Sequence, residues 1–245
     1  MPELTNLYDE LTDQNTVVSL LLKGPPGSGK TWKAAHFPNP IIFNFDGNLS
    51  CLRKLSPERR KALRIVNPRS DLSGNPVPKI KTWDTFIAKL ERVLAEPGKA
   101  TVIFDSLTTL ADALCDKILG TDSPAKRMEI QHFGDFSRYM KWLGEDVLCA
   151  SDRDKVFIFC GHEAETSDGR LSLNLPTRIK DSFPLYFTDC WRTYVKTSIS
   201  GDPDYRVRTI PGPNFECKRS LDVPKDFSWD QEGEKVIKLV YGETD

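Results

Sequence analysis

The sequence has few of the side chains that build zinc sites or disulfide frameworks. It contains three histidines in 245 residues, and its six cysteines are far apart, with no Cys-x-x-Cys pair. Structural zinc sites need closely spaced ligands, and small secreted domains need paired cysteines. This cysteine usage suits a reducing compartment, so we expect a cytoplasmic protein.

The chain also lacks a long apolar run and a strong excess of either charge. No run approaches the ~20 apolar residues of a membrane-spanning helix, so we expect no membrane segment. The formal net charge is -1, which argues against a protein that is basic overall but allows a local basic loop. Residues 1–15 are polar and acidic, unlike a signal peptide, and we interpret them as a flexible leader.

The most informative segment is a glycine-rich loop that follows the apolar run at residues 17–22. Its sequence fits the pattern G-x-x-x-x-G-K-T and reads Gly24-Pro25-Pro26-Gly27-Ser28-Gly29-Lys30-Thr31. In such a loop the glycines let backbone N–H groups surround a phosphate at the start of a helix. Lys30 would reach the β- and γ-phosphates, and Thr31 would bind Mg²⁺. The loop, with Trp32 after it, therefore predicts a site for ATP and Mg²⁺; the alternative is a glycine turn with a chance Lys-Thr.

Two further apolar runs end in a carboxylate, at the end of a strand where a parallel sheet presents its ligands. Residues 101–104 lead to Asp105, which is the Walker B pattern, and Asp105 is predicted to hold Mg²⁺ through water. Residues 41–45 lead to Asp46, which is predicted to orient the water that attacks the γ-phosphate. Two alternatives stay open: Asp46 only caps the next helix, or a shifted register places Asn48 there.

Strands and helices alternate along the first two thirds of the chain, and the last third is rich in strands. Helical spacing of apolar residues predicts helices near residues 83–94, 107–119 and 136–147. Later apolar runs predict strands near residues 156–161, 186–198, 205–211 and 235–240. We therefore expect an α/β fold with a mainly parallel sheet, helices on both faces and antiparallel strands in the C-terminal part.

The order of these parts resembles the RecA-type ATPase core. More narrowly, it resembles a family of phage-encoded proteins that consist of the RecA core alone, single-strand annealing recombinases sometimes labelled phage nucleotide-binding proteins. The similarity spans roughly residues 15–220. It is carried by GPPGSGKT at 24–31, IIFNFDGNL at 41–49, VIFDSLTTL at 102–110, FIFCGHE at 157–163 and CKRS at 217–220. We expect a leader at 1–15, an ATPase core at 16–220 and a C-terminal extension at 221–245 that packs on the core.

The resemblance implies roles for residues outside the P-loop. Asp46 would polarise the attacking water, and His162 would sense the γ-phosphate and couple it to a DNA-binding loop. Lys218 and Arg219 would reach the nucleotide of a neighbouring subunit. The sequence departs from the family because Asn44 replaces the first acid of an acid-x-Glu arrangement and Asp46 is shorter than Glu, so we expect slow hydrolysis. A His162 bonded to backbone and a Lys-Arg pair of ordinary surface residues are the alternatives.

The function implied by the resemblance is that of an ATP-hydrolysing phage recombination protein. It would bind single-stranded DNA, promote strand annealing as a homo-oligomer, respond to DNA with faster hydrolysis and work with a single-stranded DNA-binding protein in the host cytoplasm. Basic loop residues are the candidate DNA contacts: Lys126, Arg127, Arg170, Arg178 and Lys180. One alternative is a nucleotide-gated module that hardly hydrolyses ATP and recruits replication or recombination partners. A small-molecule kinase is disfavoured because the chain has no arginine-rich lid segment.

Overall fold

A computed structural model describes residues 19–123, 125–149, 154–176, 179–197 and 201–241. The predicted leader and the candidate DNA contact Arg178 lie outside these residues. The strands are β1 (Ser19–Gly24), β2 (Pro40–Asn44), β3 (Arg64–Val66), β4 (Ala100–Asp105), β5 (Lys155–Glu165), β6 (Leu171–Leu173), β7 (Asp189–Thr197), β8 (Pro203–Arg208) and β9 (Asp226–Ser228). The α-helices are α1 (Lys30–Ala34), α2 (Pro57–Ala62), α3 (Thr82–Ala95), α4 (Leu107–Leu119), α5 (Ile130–Trp142), α6 (Ile179–Ser182) and α7 (Trp229–Tyr241).

All nine of these strands belong to one mixed sheet. Six run parallel in the order β3-β2-β4-β5-β1-β7, and β8 and β9 continue the sheet antiparallel beyond β7. The short β6 folds back antiparallel onto the end of β5. The P-loop strand β1 and the Walker B strand β4 are separated by β5 alone, so the carboxyl end of β5 lies between the two. The predicted α/β fold class, with a mainly parallel sheet, helices on both faces and an antiparallel C-terminal part, is confirmed.

The core has two apolar layers, one on each face of the sheet. Successive side chains of a strand point to opposite faces, so Leu21 belongs to one layer while Leu20 and Leu22 belong to the other. Helices α3, α4 and α5 cover the first face, and α1 and α7 cover the second. In the first layer the rings of Phe104 and Phe159 stack with centroids 4.0 Å apart. Among the described residues, no helix is long and apolar enough to cross a membrane.

The prediction of a last strand at residues 235–240 is wrong. These residues lie in helix α7, and Val236, Ile237 and Val240 are buried against the second face of the sheet. The run is rich in β-branched residues, which favour strands when read alone. Its buried positions nevertheless follow the i, i+1, i+4 spacing of one helix face, and packing against the sheet decides the outcome.

Candidate nucleotide site

The P-loop connects the end of β1 to the start of α1, and its glycines are required by its shape. Gly29 has φ 81°, a left-handed conformation that a side chain would strain. At Gly24 a Cβ atom would lie 2.2 Å from the backbone oxygen of Thr193 on β7. The loop therefore fits against β7 only because residue 24 is glycine, and it turns into α1 through the left-handed Gly29.

The side chains of Lys30 and Ser28 stabilise the loop through hydrogen bonds to its own backbone. The Lys30 ammonium donates hydrogen bonds to the backbone oxygens of Gly24 and Pro25, each at 2.9 Å. The Ser28 hydroxyl donates to the Pro25 oxygen at 2.8 Å and lies 2.7 Å from the hydroxyl of Thr193. Burial lowers the pKa of Lys30, and the carboxylates around it act in the opposite direction. The ammonium thus lies at the mouth of the loop, in contact with backbone oxygens that a phosphate would replace.

Thr31 and Asp105 form the part of the site that suits a magnesium ion. The Thr31 hydroxyl donates to Asp105 Oδ2 at 2.9 Å, which joins the start of α1 to the end of β4. Burial raises the pKa of Asp105 to about 6, although the Thr31 hydrogen bond lowers it. No cluster of three His, Cys, Asp or Glu side chains that would hold a metal occurs among the described residues. A hydroxyl and one carboxylate fit Mg²⁺, which keeps several waters and takes further ligands from phosphates.

Asp46 is fixed by donors from the segment that follows β4. Its Oδ1 accepts a hydrogen bond from the Ser106 hydroxyl at 2.8 Å and another from the Thr109 hydroxyl. Its Oδ2 lies 3.7 Å from Nε2 of His162. Burial alone would raise the pKa of Asp46, but the contacts with His162, Thr109 and Ser106 outweigh it and lower the pKa. Asp46 is therefore a carboxylate at neutral pH, suited to orienting a water and weak as a proton acceptor.

His162 stands at the end of β5, between the strands that carry the P-loop and Asp105. Its ring contacts Asp46 rather than a backbone group, and its buried Nδ1 has no hydrogen-bond partner among the described residues. Its backbone oxygen accepts from the N–H of Asn174, just after β6. His162 thus connects Asp46 to the β5–β6 hairpin.

These residues surround one cavity of about 530 Å³. The P-loop, Trp32, Asp46, Asp105 and His162 all contribute to its wall. The sequence analysis missed other wall residues, of which the first three follow Asp46 closely and the last two are distant in the chain: Ser50, Cys51, Lys54, Tyr205 and Asp230. No pattern in the sequence marks Tyr205 or Asp230, since only the antiparallel extension β8 and helix α7 bring them here.

Two groups of predicted residues are not part of this cavity. Lys218 and Arg219 are exposed, and their side chains donate to the backbone oxygens of Phe187 and Val223, both at 2.7 Å. The candidate DNA contacts are also dispersed. Arg170 and Lys180 line a second cavity, whereas Lys126 and Arg127 lie between α4 and α5, where the Lys126 ammonium donates to the Leu119 oxygen.

The P-loop, the Thr31–Asp105 pair and the intervening β5 define a P-loop nucleotide-binding domain. A family model described as an AAA domain matches residues 16–184, and the chain belongs to this family. It is an AAA-type P-loop ATPase domain.

Two solved structures are similar to the chain at low identity. The flagellar accessory protein FlaH from Methanocaldococcus jannaschii is 12% identical with a TM-score of 0.39, over 80% of this chain and 78% of that chain. An ATPase from the type III secretion system of pathogenic bacteria is 13% identical with a TM-score of 0.47, over 73% of this chain and 52% of that chain. No curated protein matches the chain.

Proposed function

We propose that the chain is a Mg²⁺-dependent ATPase of phage recombination that binds single-stranded DNA and promotes annealing. The observation that carries the hydrolytic part is the convergence of Lys30, the Thr31–Asp105 pair and the Asp46–His162 pair on one cavity. A nucleotide-binding loop alone would need only the first two. A fixed carboxylate across the cavity is what hydrolysis adds, because the attacking water must be oriented.

Each residue of the cavity has a separate role in the proposed hydrolysis. Lys30 exchanges its bonds to the Gly24 and Pro25 oxygens for phosphate oxygens when ATP binds. Thr31 and Asp105 would hold Mg²⁺, which would supply positive charge to the phosphates. Asp46 accepts a hydrogen bond from the water, and its low pKa makes proton removal inefficient, so turnover is slow.

A second cation near the γ-phosphate would stabilise the transition state. Within the chain, Lys54 lines the cavity. Lys218 and Arg219 do not, so they would act on the nucleotide of a neighbouring subunit in a homo-oligomer. An experiment that mixes inactive variants separates the two arrangements.

The DNA-binding part of the proposal is supported by the connection between the nucleotide cavity and basic loops. β6 pairs with the end of β5, next to His162, and the loop before β6 carries Arg170. A change at His162 would therefore reach a segment that can contact phosphates. Several subunits along one strand would add their weak contacts, and a single-stranded DNA-binding protein is the expected partner.

A second candidate function is a nucleotide-gated binding module that recruits replication or recombination partners. The short Asp46 side chain with a lowered pKa favours it, because such a base supports binding better than turnover.

The test is ATP hydrolysis with and without single-stranded DNA at low salt. We expect slow hydrolysis that DNA accelerates, no ATP binding by Lys30→Ala, and ATP binding without turnover by Asp46→Asn. Normal ATP affinity in Lys30→Ala would contradict the P-loop assignment. Tight ATP binding by the unaltered chain with no turnover and no effect of DNA would favour the gated module.

A further inference from the structure

A second cavity of about 850 Å³ lies on the face of the sheet opposite to the face that helix α1 covers. Its walls are β6, the segment 179–185 and the segment 211–218, and Lys23 of β1 is at its base. The segment 211–218 is held in place at its middle and at its C-terminal end. Leu171 of β6 donates to the Asn214 oxygen, and Lys218 and Cys190 exchange two backbone hydrogen bonds. The cavity is thus a built feature of the fold.

Lys23 is a mostly buried residue whose ammonium has no counter-charge among the described residues. Only 5% of the residue is exposed, and its ammonium has no hydrogen bond or ion pair with any residue in the described part of the chain. It lies on the same face of β1 as Leu21, and its neighbours in the sheet are Gly161 and Arg192. The stem of Lys23 is buried, whereas its ammonium keeps solvent access through the cavity. Its position therefore points to a partner that enters the cavity.

The acidic groups of the neighbouring strands are not available to Lys23. Glu163 is paired with Arg192 at 2.9 Å, and the buried Asp189 accepts hydrogen bonds from Trp191 and Ser220. Cys190 and Cys217, which also line the cavity, provide no negative charge for Lys23. Burial raises the pKa of Cys190 to about 12 and that of Cys217 to about 11, so both thiols are neutral.

The other charged groups of the cavity balance each other. Three cations and three anions lie on its walls and rim, namely Arg170, Lys180, Lys218, Asp168, Asp181 and Glu216. Arg170 and Asp168 form a pair at 3.3 Å. Lys23 therefore leaves the described cavity with one positive charge in excess, and this charge makes the base of the cavity attractive to an anion.

We propose that this cavity is a second phosphate site, in which Lys23 binds a phosphodiester of single-stranded DNA. A lysine ammonium is a common point-charge ligand of phosphate. The apolar residues Pro184, Leu185 and Pro213 at the same cavity offer a surface for a base beside that phosphate. The choice of DNA over a free phosphate or mononucleotide rests on the proposed function, whereas the anion site itself does not.

The first test measures phosphate binding without the P-loop. In a Lys30→Ala background, which disables the P-loop phosphate site, inorganic phosphate should still raise the melting temperature. Adding Lys23→Met should abolish that shift. Lys61→Met, on the exposed helix α2, is the matched control and should keep it. A shift that is absent in Lys30→Ala, or that persists with Lys23→Met, would overturn the site.

The second test measures binding of a labelled oligo-dT by fluorescence anisotropy over a range of salt. Lys23→Met should weaken binding and reduce the slope of log affinity against log salt by about 0.7, the value for one lost phosphate contact on a single strand. Lys61→Met should leave the slope unchanged. Since Lys23→Met keeps the buried apolar stem and removes only an unpaired ammonium, we also expect its own melting temperature to be no lower than that of the unaltered chain.

The outcomes separate this site from the proposed function. Oligo-dT binding with the same slope in Lys23→Met would overturn the DNA site and leave the recombination proposal standing. A phosphate shift that depends on Lys23, in a chain that binds no oligo-dT, would assign the site to a free phosphate or mononucleotide. In that case the DNA-binding part of the proposed function would fail while the anion site remained.

Discussion

Lys33 is a fully buried lysine one turn into the helix that follows the P-loop. Its ammonium donates to the Ser28 oxygen at 2.7 Å and lies 5.3 Å from the centre of the Tyr205 ring. Burial lowers its pKa to about 7, with Asp230 acting in the opposite direction and Lys30 adding to the decrease. Lys33 thus joins the P-loop to β8 and holds a charge that the fold disfavours.

This pKa predicts an unusual dependence of stability on pH. The unfolded lysine has a pKa near 10.5 and the folded one near 7, so the unfolded state binds more protons between these values. The contribution of Lys33 to the free energy of unfolding therefore rises with pH across this window, by at most about 1.4 kcal/mol per pH unit.

Urea unfolding of the unaltered chain and of Lys33→Met at pH 7, 8 and 9 checks this prediction. Lys33→Met should lose the rise, so that its stability relative to the unaltered chain falls as the pH increases. Lys61→Met, which removes an exposed ammonium, should keep the rise. The same pH dependence in Lys33→Met and in the unaltered chain would contradict the lowered pKa.

At the residue scale, the sequence predicts side chains that belong to a contiguous pattern. Lys30, Thr31 and Asp105 could be named because a loop motif and a strand end mark them, and the structure brings them within hydrogen-bonding reach. Tyr205 could not be named. It reaches the cavity only through the pairing of β8 with β7, which no local pattern encodes.

At the scale of elements, α7 closes the second face of the sheet. Trp229, Val236 and Tyr241 are buried in the layer that also contains Phe37 of the turn after α1. The Tyr241 hydroxyl donates to the Pro38 oxygen at 3.1 Å, and Asp230 at the start of α7 lines the nucleotide cavity. The helix therefore supports the segment behind the P-loop. Sequence analysis predicted a strand in this region because the run is rich in β-branched residues. Its helical spacing becomes decisive only when the sheet face that the helix covers is known.

This packing predicts the effect of shortening a side chain in α7. Val236 is fully buried, so Val236→Ala should reduce the free energy of unfolding by about 2 kcal/mol through lost burial and a residual cavity. Lys235→Ala, at an exposed position one residue earlier, should change it by less than about 0.5 kcal/mol. Urea unfolding monitored by circular dichroism measures both. Equal effects of the two substitutions would mean that α7 does not pack as described.

At the scale of the whole molecule, the nucleotide cavity contains some, but not all, of the groups that fast hydrolysis needs. Its wall provides the P-loop and the residues proposed to hold Mg²⁺ and to orient the attacking water, and Lys54 is a cation on the same wall. Lys218 and Arg219 are exposed and do not line it. If they act in catalysis, the active unit is an interface between two copies, with the cavity of one copy facing Lys218 of the next.

Mixing two inactive variants decides whether the second cation comes from a neighbouring subunit. In that arrangement Lys218→Ala and Asp46→Asn are each inactive, because every interface lacks one of the two groups. In an equal mixture, about a quarter of the heterologous interfaces combine an intact Asp46 with an intact Lys218, so ATP hydrolysis should return to about that fraction. If Lys54 acts within the chain instead, Lys218→Ala alone stays active, and Lys54→Ala is inactive and is not rescued by Asp46→Asn at any ratio. Hydrolysis that returns on mixing would show a shared site, whereas an inactive Lys218→Ala without rescue would exclude action across the interface.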